Sequence, residues 1–137
     1  MKILRFLDAR GRICLGQPVG QRQAQLYRGK LFGPLEPTNR RARIAKRLAP
    51  VDPPNVYAIG LNYRQHADES GLAYPEAPVI FLKASTSVTA PGAPIILPAA
   101  APDEVDYEAE LAIIIARPAR NLSPEEAFDC VLGFTCA

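Results

Sequence analysis

Apolar positions along this chain fall into short runs broken by proline, glycine and charged residues, a rhythm of strands more than of helices. Residues 2–7 alternate as a strand does. Asp8-Ala-Arg-Gly11 predicts a turn, and Arg12 to Leu15 a returning strand. Residues 21–28 fit a further short strand or a helical turn. Gly33-Pro34 and Glu36-Pro37-Thr-Asn predict a loop, and Ile44 and Leu48 fit either one helical face or a connector. Beyond Pro50, Pro53 and Pro54, the runs Val56–Ile59, Val79–Leu82 and Ile95–Leu97 predict buried strands. Residues 63–70 suit about two helical turns, with Asn62 as N-cap and Gly71 as the stop. Ser123, Pro124 and Glu126 spell a capping box with proline at the first helical position, so a helix is predicted over 124–131. Gly133 to Ala137 opens another apolar segment.

One stretch organises the rest. From Leu111 to Ala116 every position is apolar, as in a strand covered on both faces. Just before it stand Asp106, Glu108 and Glu110, which a strand puts on one face. Glu108 and Glu110 two residues apart on a strand lie ~7 Å from each other. Their repulsion is ~2 kcal/mol at an effective dielectric of 20. At the mouth of a buried strand the pair calls for protons or a hard divalent cation with oxygen ligands, Mg²⁺ or Mn²⁺ before Zn²⁺. On the wet face of a half-exposed strand the same acids need no partner; the acid pattern alone favours that reading, and the buried continuation brings the two level.

Charge is the next constraint. Residues 1–50 hold 12 Lys/Arg against Asp8 and Glu36, while residues 51–137 hold 4 against 12 acids. The imbalance suggests two units, a small basic β-rich one over 1–50 and a second over 51–137. The run Arg40-Arg-Ala-Arg-Ile-Ala-Lys-Arg47 has the charge to meet an anionic partner. It has no interleaved aromatics on which bases would stack, which argues against a nucleic-acid platform. No apolar run reaches membrane-spanning length and the N-terminus lacks a signal-peptide core, so a cytoplasmic chain without a membrane partner is expected. Cys14, Cys130 and Cys136 are odd in number and lack Cys-x-x-Cys spacing, against a disulfide framework or a zinc knuckle.

The chain has a single histidine. His66 and Glu69, spaced i, i+3, share a helical face. A carboxylate beside an imidazole raises its basicity, and such a dyad can take a proton from water. An exposed pair on a surface helix would look the same. That plainer reading is the commoner one for a lone His-x-x-Glu, and the place after a strand and a glycine turn adds weight to a site. Lys83 ends an apolar strand, where it either binds an anion or marks the point at which the strand surfaces.

These segments, in order, carry a resemblance. Gly60-Leu-Asn-Tyr-Arg-Gln-His-Ala-Asp-Glu69, Pro78-Val-Ile-Phe-Leu-Lys83, Pro91-Gly-Ala-Pro-Ile-Ile-Leu-Pro98, Val105-Asp-Tyr-Glu-Ala-Glu-Leu111 and Ser123 through Thr135 look like the fumarylacetoacetate hydrolase family. Each motif is weak, but the ordered set over about residues 50–137 is specific. Residues 1–50 more loosely resemble the small N-terminal domain of members known as 2-hydroxyhepta-2,4-diene-1,7-dioate isomerases. The resemblance implies a mixed β fold with few short helices, an incomplete β-roll of the family type preceded by the small β-rich unit. It implies Mg²⁺ or Mn²⁺ held by Glu108 and Glu110, with a third carboxylate expected beyond Ala137. It assigns His66 and Glu69 to a catalytic dyad on a lid helix and Lys83 to the substrate site. A hydrolase or isomerase acting on small 2-oxo or 1,3-dicarbonyl acids in catabolism is then expected, by C–C hydrolysis, decarboxylation or keto–enol isomerisation. A homodimer is expected at full length. The chain itself is expected to be a truncated, weakly active fragment. The rival expectation is a non-catalytic binding or assembly module whose working surface is the basic segment 40–47.

Overall fold

The computed structural model describes residues 1–137 and is β-rich, with two short helices. Strands β1 (Leu4–Leu7), β2 (Ile13–Val19), β3 (Gln23–Gly29), β4 (Leu35–Arg43) and β5 (Lys46–Arg47) form one antiparallel sheet in the order β4-β3-β2-β1-β5. The chain leaves β4 at one edge and joins β5 at the other. Arg43 and Lys46 are three residues apart, so the two edges approach within ~10 Å at that end. Between them the Ile44 N–H bonds to the Arg22 carbonyl and the Ala45 N–H to the Leu7 carbonyl. The sheet is therefore curled almost closed, and Phe6, Gly16 and Ala24 are buried inside the curl. Gly16 is required there, since a Cβ at this position would stand 2.4 Å from the Gln25 carbonyl oxygen.

Asp8 fastens the β1–β2 turn. Its buried carboxylate accepts the Arg10 and Arg12 N–H groups, each at 2.9 Å, and the Arg12 side chain at 2.8 Å. These bonds, led by the one from the Arg12 side chain, hold its pKa below the ordinary carboxylate value.

One expectation for this half is resolved and one changes. Residues 23–29 are a strand, one of the two readings open for 21–28. Residues 36–39 are strand and not loop: Pro37 lies opposite Tyr27 in β4, and only an edge strand accommodates a proline so readily. The basic run 40–47 spreads over the end of β4, the Ile44–Ala45 link and β5. Charged side chains on edge strands oppose edge-to-edge association.

The remaining elements are β6 (Val56–Gly60), α1 (Arg64–Glu69), β7 (Val79–Lys83), β8 (Leu111–Ile115), α2 (Pro124–Phe128) and β9 (Val131–Cys136). β6 pairs antiparallel with β7, and β8 with β9, as two separate two-stranded ladders. The sequence predicts buried strands here, and the structure corrects this. Every residue of β7 is exposed, as are Leu111, Ile113 and Ile115 of β8. A strand with one neighbour and nothing across its face stays wet however apolar it is. Ile95–Leu97 forms no strand, because no partner meets it. The α2 capping box forms as expected, Ser123 Oγ accepting from Glu126 N and Glu126 Oε2 from Ser123 N, although the helix stops at Phe128. No helix is long and apolar enough to cross a membrane.

Candidate functional site

β6 ends at Gly60, and the chain turns sharply through Leu61 at φ 50°. A leucine in the left-handed region costs on the order of 1–3 kcal/mol and persists only where both flanks are fixed. The turn delivers Asn62, Tyr63 and then α1. The N-cap is Tyr63, one residue after the Asn62 expected, and no side chain caps the first turn. A helix of six residues is marginal alone. Tertiary fastenings hold it instead. Ala67 is fully buried, the Tyr74 hydroxyl donates to Asp68 Oδ1 at 2.6 Å, and the Arg64 guanidinium lies 5.9 Å from the Tyr74 ring centroid. The bond to Asp68, with some burial, raises the Tyr74 pKa by keeping the phenolic proton in use. Gly71 at φ 64° closes the helix as expected, with Gly71 N–H on the Asp68 carbonyl and Leu72 N–H on the Ala67 carbonyl, a Schellman pattern.

His66 and Glu69 are both exposed on α1. Glu69 accepts from the Gln65 amide at 3.2 Å and makes no hydrogen bond or ion pair with His66. The two share a helical face and stay open to solvent or to a ligand.

The three acids do not lie within a strand, because β8 begins only at Leu111. Glu110 alone is paired: its N–H and carbonyl bond to the Ala137 carbonyl and N–H, each at 2.9 Å. Asp106 turns back on the Tyr107 N–H at 2.8 Å. Glu108 is exposed and Glu110 half-buried, so water screens much of their repulsion. No three Asp, Glu, His or Cys side chains gather as a metal-binding group. Two carboxylates suit Mg²⁺ or Mn²⁺ in donor type but not in number.

One contact joins the two halves of this constellation. The Leu111 N–H donates to the Tyr63 hydroxyl oxygen at 3.0 Å, across 48 residues of chain. The start of the histidine helix is thereby fastened beside the acidic lead-in of β8. Sequence reasoning passed over Tyr63, since nothing local tells an N-cap tyrosine where its hydroxyl goes. Lys83 closes β7, its ammonium 5.5 Å from the Phe81 ring centroid, a cation–π contact between neighbours on one strand face. A cleft of about 520 Å³ lies elsewhere, between the curled sheet and the Ser85–Ala90 loop, and none of the five candidate residues lines it. It is bounded by Arg5, whose guanidinium is taken up by Asp52 and the Ala49 carbonyl.

Residues 55–137 match the family model described as fumarylacetoacetate hydrolase, C-terminal. The mitochondrial oxaloacetate tautomerase of Xenopus laevis is 41% identical over 91 residues, 66% of this chain and 28% of that one. The caffeoylpyruvate hydrolase of Neonothopanus nambi is 45% identical over 86 residues, 60% of this chain and 30% of that one. The 2-hydroxyhepta-2,4-diene-1,7-dioate isomerase structure from Mycobacterium marinum superposes with a TM-score of 0.74 at 30% identity, covering 99% of this chain and 52% of that one. The chain thus spans about a third of the curated relatives it matches and about half of the solved structures.

Proposed function

Because this chain belongs to the fumarylacetoacetate hydrolase family, we propose that it is part of an enzyme acting on small 2-oxo or 1,3-dicarbonyl acids. The observation that carries the reading is the Tyr63–Leu111 contact, which fastens the His66 helix to the strand that Glu108 and Glu110 lead into. The named relatives, a tautomerase, a hydrolase and an isomerase, share one chemical demand: negative charge develops on the oxygen of the carbonyl being attacked or enolised. In our reading Glu108 and Glu110 contribute two of the oxygen donors for Mg²⁺ or Mn²⁺, and further donors come from outside residues 1–137. The cation, when bound, supplies the positive charge that stabilises such an oxyanion. His66 takes the proton, from water in hydrolysis or from carbon in tautomerisation, and Glu69 orients it once it turns from Gln65. Lys83 attracts the substrate carboxylate.

The test is turnover by the full-length protein of oxaloacetate and of an acylpyruvate, with and without a chelator. Turnover restored by Mg²⁺ or Mn²⁺, and lost in Glu108→Gln and Glu110→Gln, is expected. Turnover indifferent to both changes would remove these residues from the site.

A further inference from the structure

The open edge of β8 poses a question that the family match does not answer. Glu110 and Ala137 exchange both their backbone hydrogen bonds, so the N–H of the next residue, Leu111, points away from β9 toward the unpaired edge. An edge N–H normally meets water or another strand. Here it meets a phenol: Tyr63, the N-cap of α1, takes it at 3.0 Å. The side chain reaches from a turn that is itself constrained, with Leu61 at φ 50° two residues earlier. Ala67, the one buried residue of α1, is four residues on from Tyr63 and therefore on the same face. That face is buried at Ala67, while Tyr63 itself is 42% exposed. His66, three residues from Tyr63, lies about 4.5 Å further along the helix axis. Glu110 immediately precedes Leu111.

We propose that Tyr63 is a positioning residue: its hydroxyl docks the histidine helix on the edge of β8 and so sets the register between His66 and the Glu108–Glu110 pair. The role deepens the functional reading above and rests on it. Tyr63 does no proton transfer. Its oxygen is occupied as an acceptor from a backbone amide, and it acts through the placement of α1. A six-residue helix with an uncapped first turn has few other means of keeping a fixed place. Tyr74 touches the helix's own Asp68 and Arg64 and leaves the link to β8 to Tyr63.

The experiment compares wild type, Tyr63→Phe and His66→Ala as full-length proteins, by amide hydrogen exchange and by steady-state kinetics on oxaloacetate and an acylpyruvate across pH. In Tyr63→Phe the ring stays and the acceptor goes. Exchange at Leu111 should rise about 2- to 10-fold, the worth of one hydrogen bond, and rise also over residues 64–69, with the curled sheet unchanged. The kcat should fall on the order of 10- to 100-fold, as for a small misplacement of a reacting group. KM and the shape of the pH profile should hold. His66→Ala should abolish turnover without raising exchange at Leu111. Unchanged exchange at Leu111 in Tyr63→Phe would overturn the docking. Raised exchange with unaltered kcat would overturn the positioning role, and so would loss of one limb of the pH profile, which would make Tyr63 an acid or base. If wild type turns over neither substrate, the functional reading fails and the positioning role with it. Exchange at Leu111 then still decides whether the contact exists.

Discussion

The curled sheet of residues 4–47 and the two ladders beyond residue 55 reach opposite outcomes, although the ladder strands are by far the more apolar. Five strands that wrap back on themselves enclose Phe6, Gly16 and Ala24 and leave mostly charged edges outside. Two strands cannot wrap. β6–β7 and β8–β9 therefore leave Ile80, Leu82, Ile113 and Phe134 in water, each more than half exposed. Strand composition alone does not bury a strand. Burial needs a second layer, and the curled sheet makes its own by closing.

The sharpest way to break this comparison is Phe6→Ala. Phe6 is fully buried, so its loss should cost about 3–5 kcal/mol. Denaturant unfolding followed over the curled sheet reads this directly, and a cost under 1 kcal/mol would mean that the curl holds no real core. Next is Gly16→Ala, whose Cβ meets backbone and forces β2 and β3 apart. A loss of about 1–3 kcal/mol is expected, as for overpacking, read from the same unfolding curves. On the ladder side Ser123→Ala removes the α2 cap and should cost about 1 kcal/mol, visible as faster exchange over residues 124–128.

Ile113→Ala sharpens the contrast. In residues 1–137 its cost should stay within about 0.5 kcal/mol, the range for surface changes, because Ile113 is 54% exposed. If the full-length protein covers this face, the same change should there cost about 2–5 kcal/mol. Equal small costs in both would show the face to be bare in both. The mildest effect expected is on pH. The folded-state pKa of Asp8 is lowered, so its contribution is present above the unfolded value of ~3.9 and is lost as pH falls through the folded value. Acid should therefore loosen the curled sheet below about pH 4, and Asp8→Asn should flatten that dependence. A sheet equally stable from neutral pH down to pH 2 would show that the Arg12 pairing contributes nothing.

Much of this was legible in the residues. The strand rhythm, the Asp8 turn, the Gly71 stop and the Ser123 capping box all rest on contacts within a few residues, and the chain states such contacts itself. Family membership was legible too, because the motifs keep their order. What misled was apolarity: an unbroken run such as Val79–Leu82 reads as buried when the ladder that holds it has nothing above it. The acids of 106–110 likewise read as strand, yet pairing reaches back only as far as Glu110.

By itself, then, the sequence determined the local elements, their caps and turns, the charge imbalance and the five candidate residues, since each follows from spacing and side-chain chemistry along a few neighbouring positions. Only the tertiary structure decided that the sheet curls, that the basic run divides between two edges, which strands stay wet, and that Tyr63 meets Leu111. Those outcomes depend on which distant backbone groups find one another, and a hydrogen bond across 48 residues leaves no mark in the residues beside it.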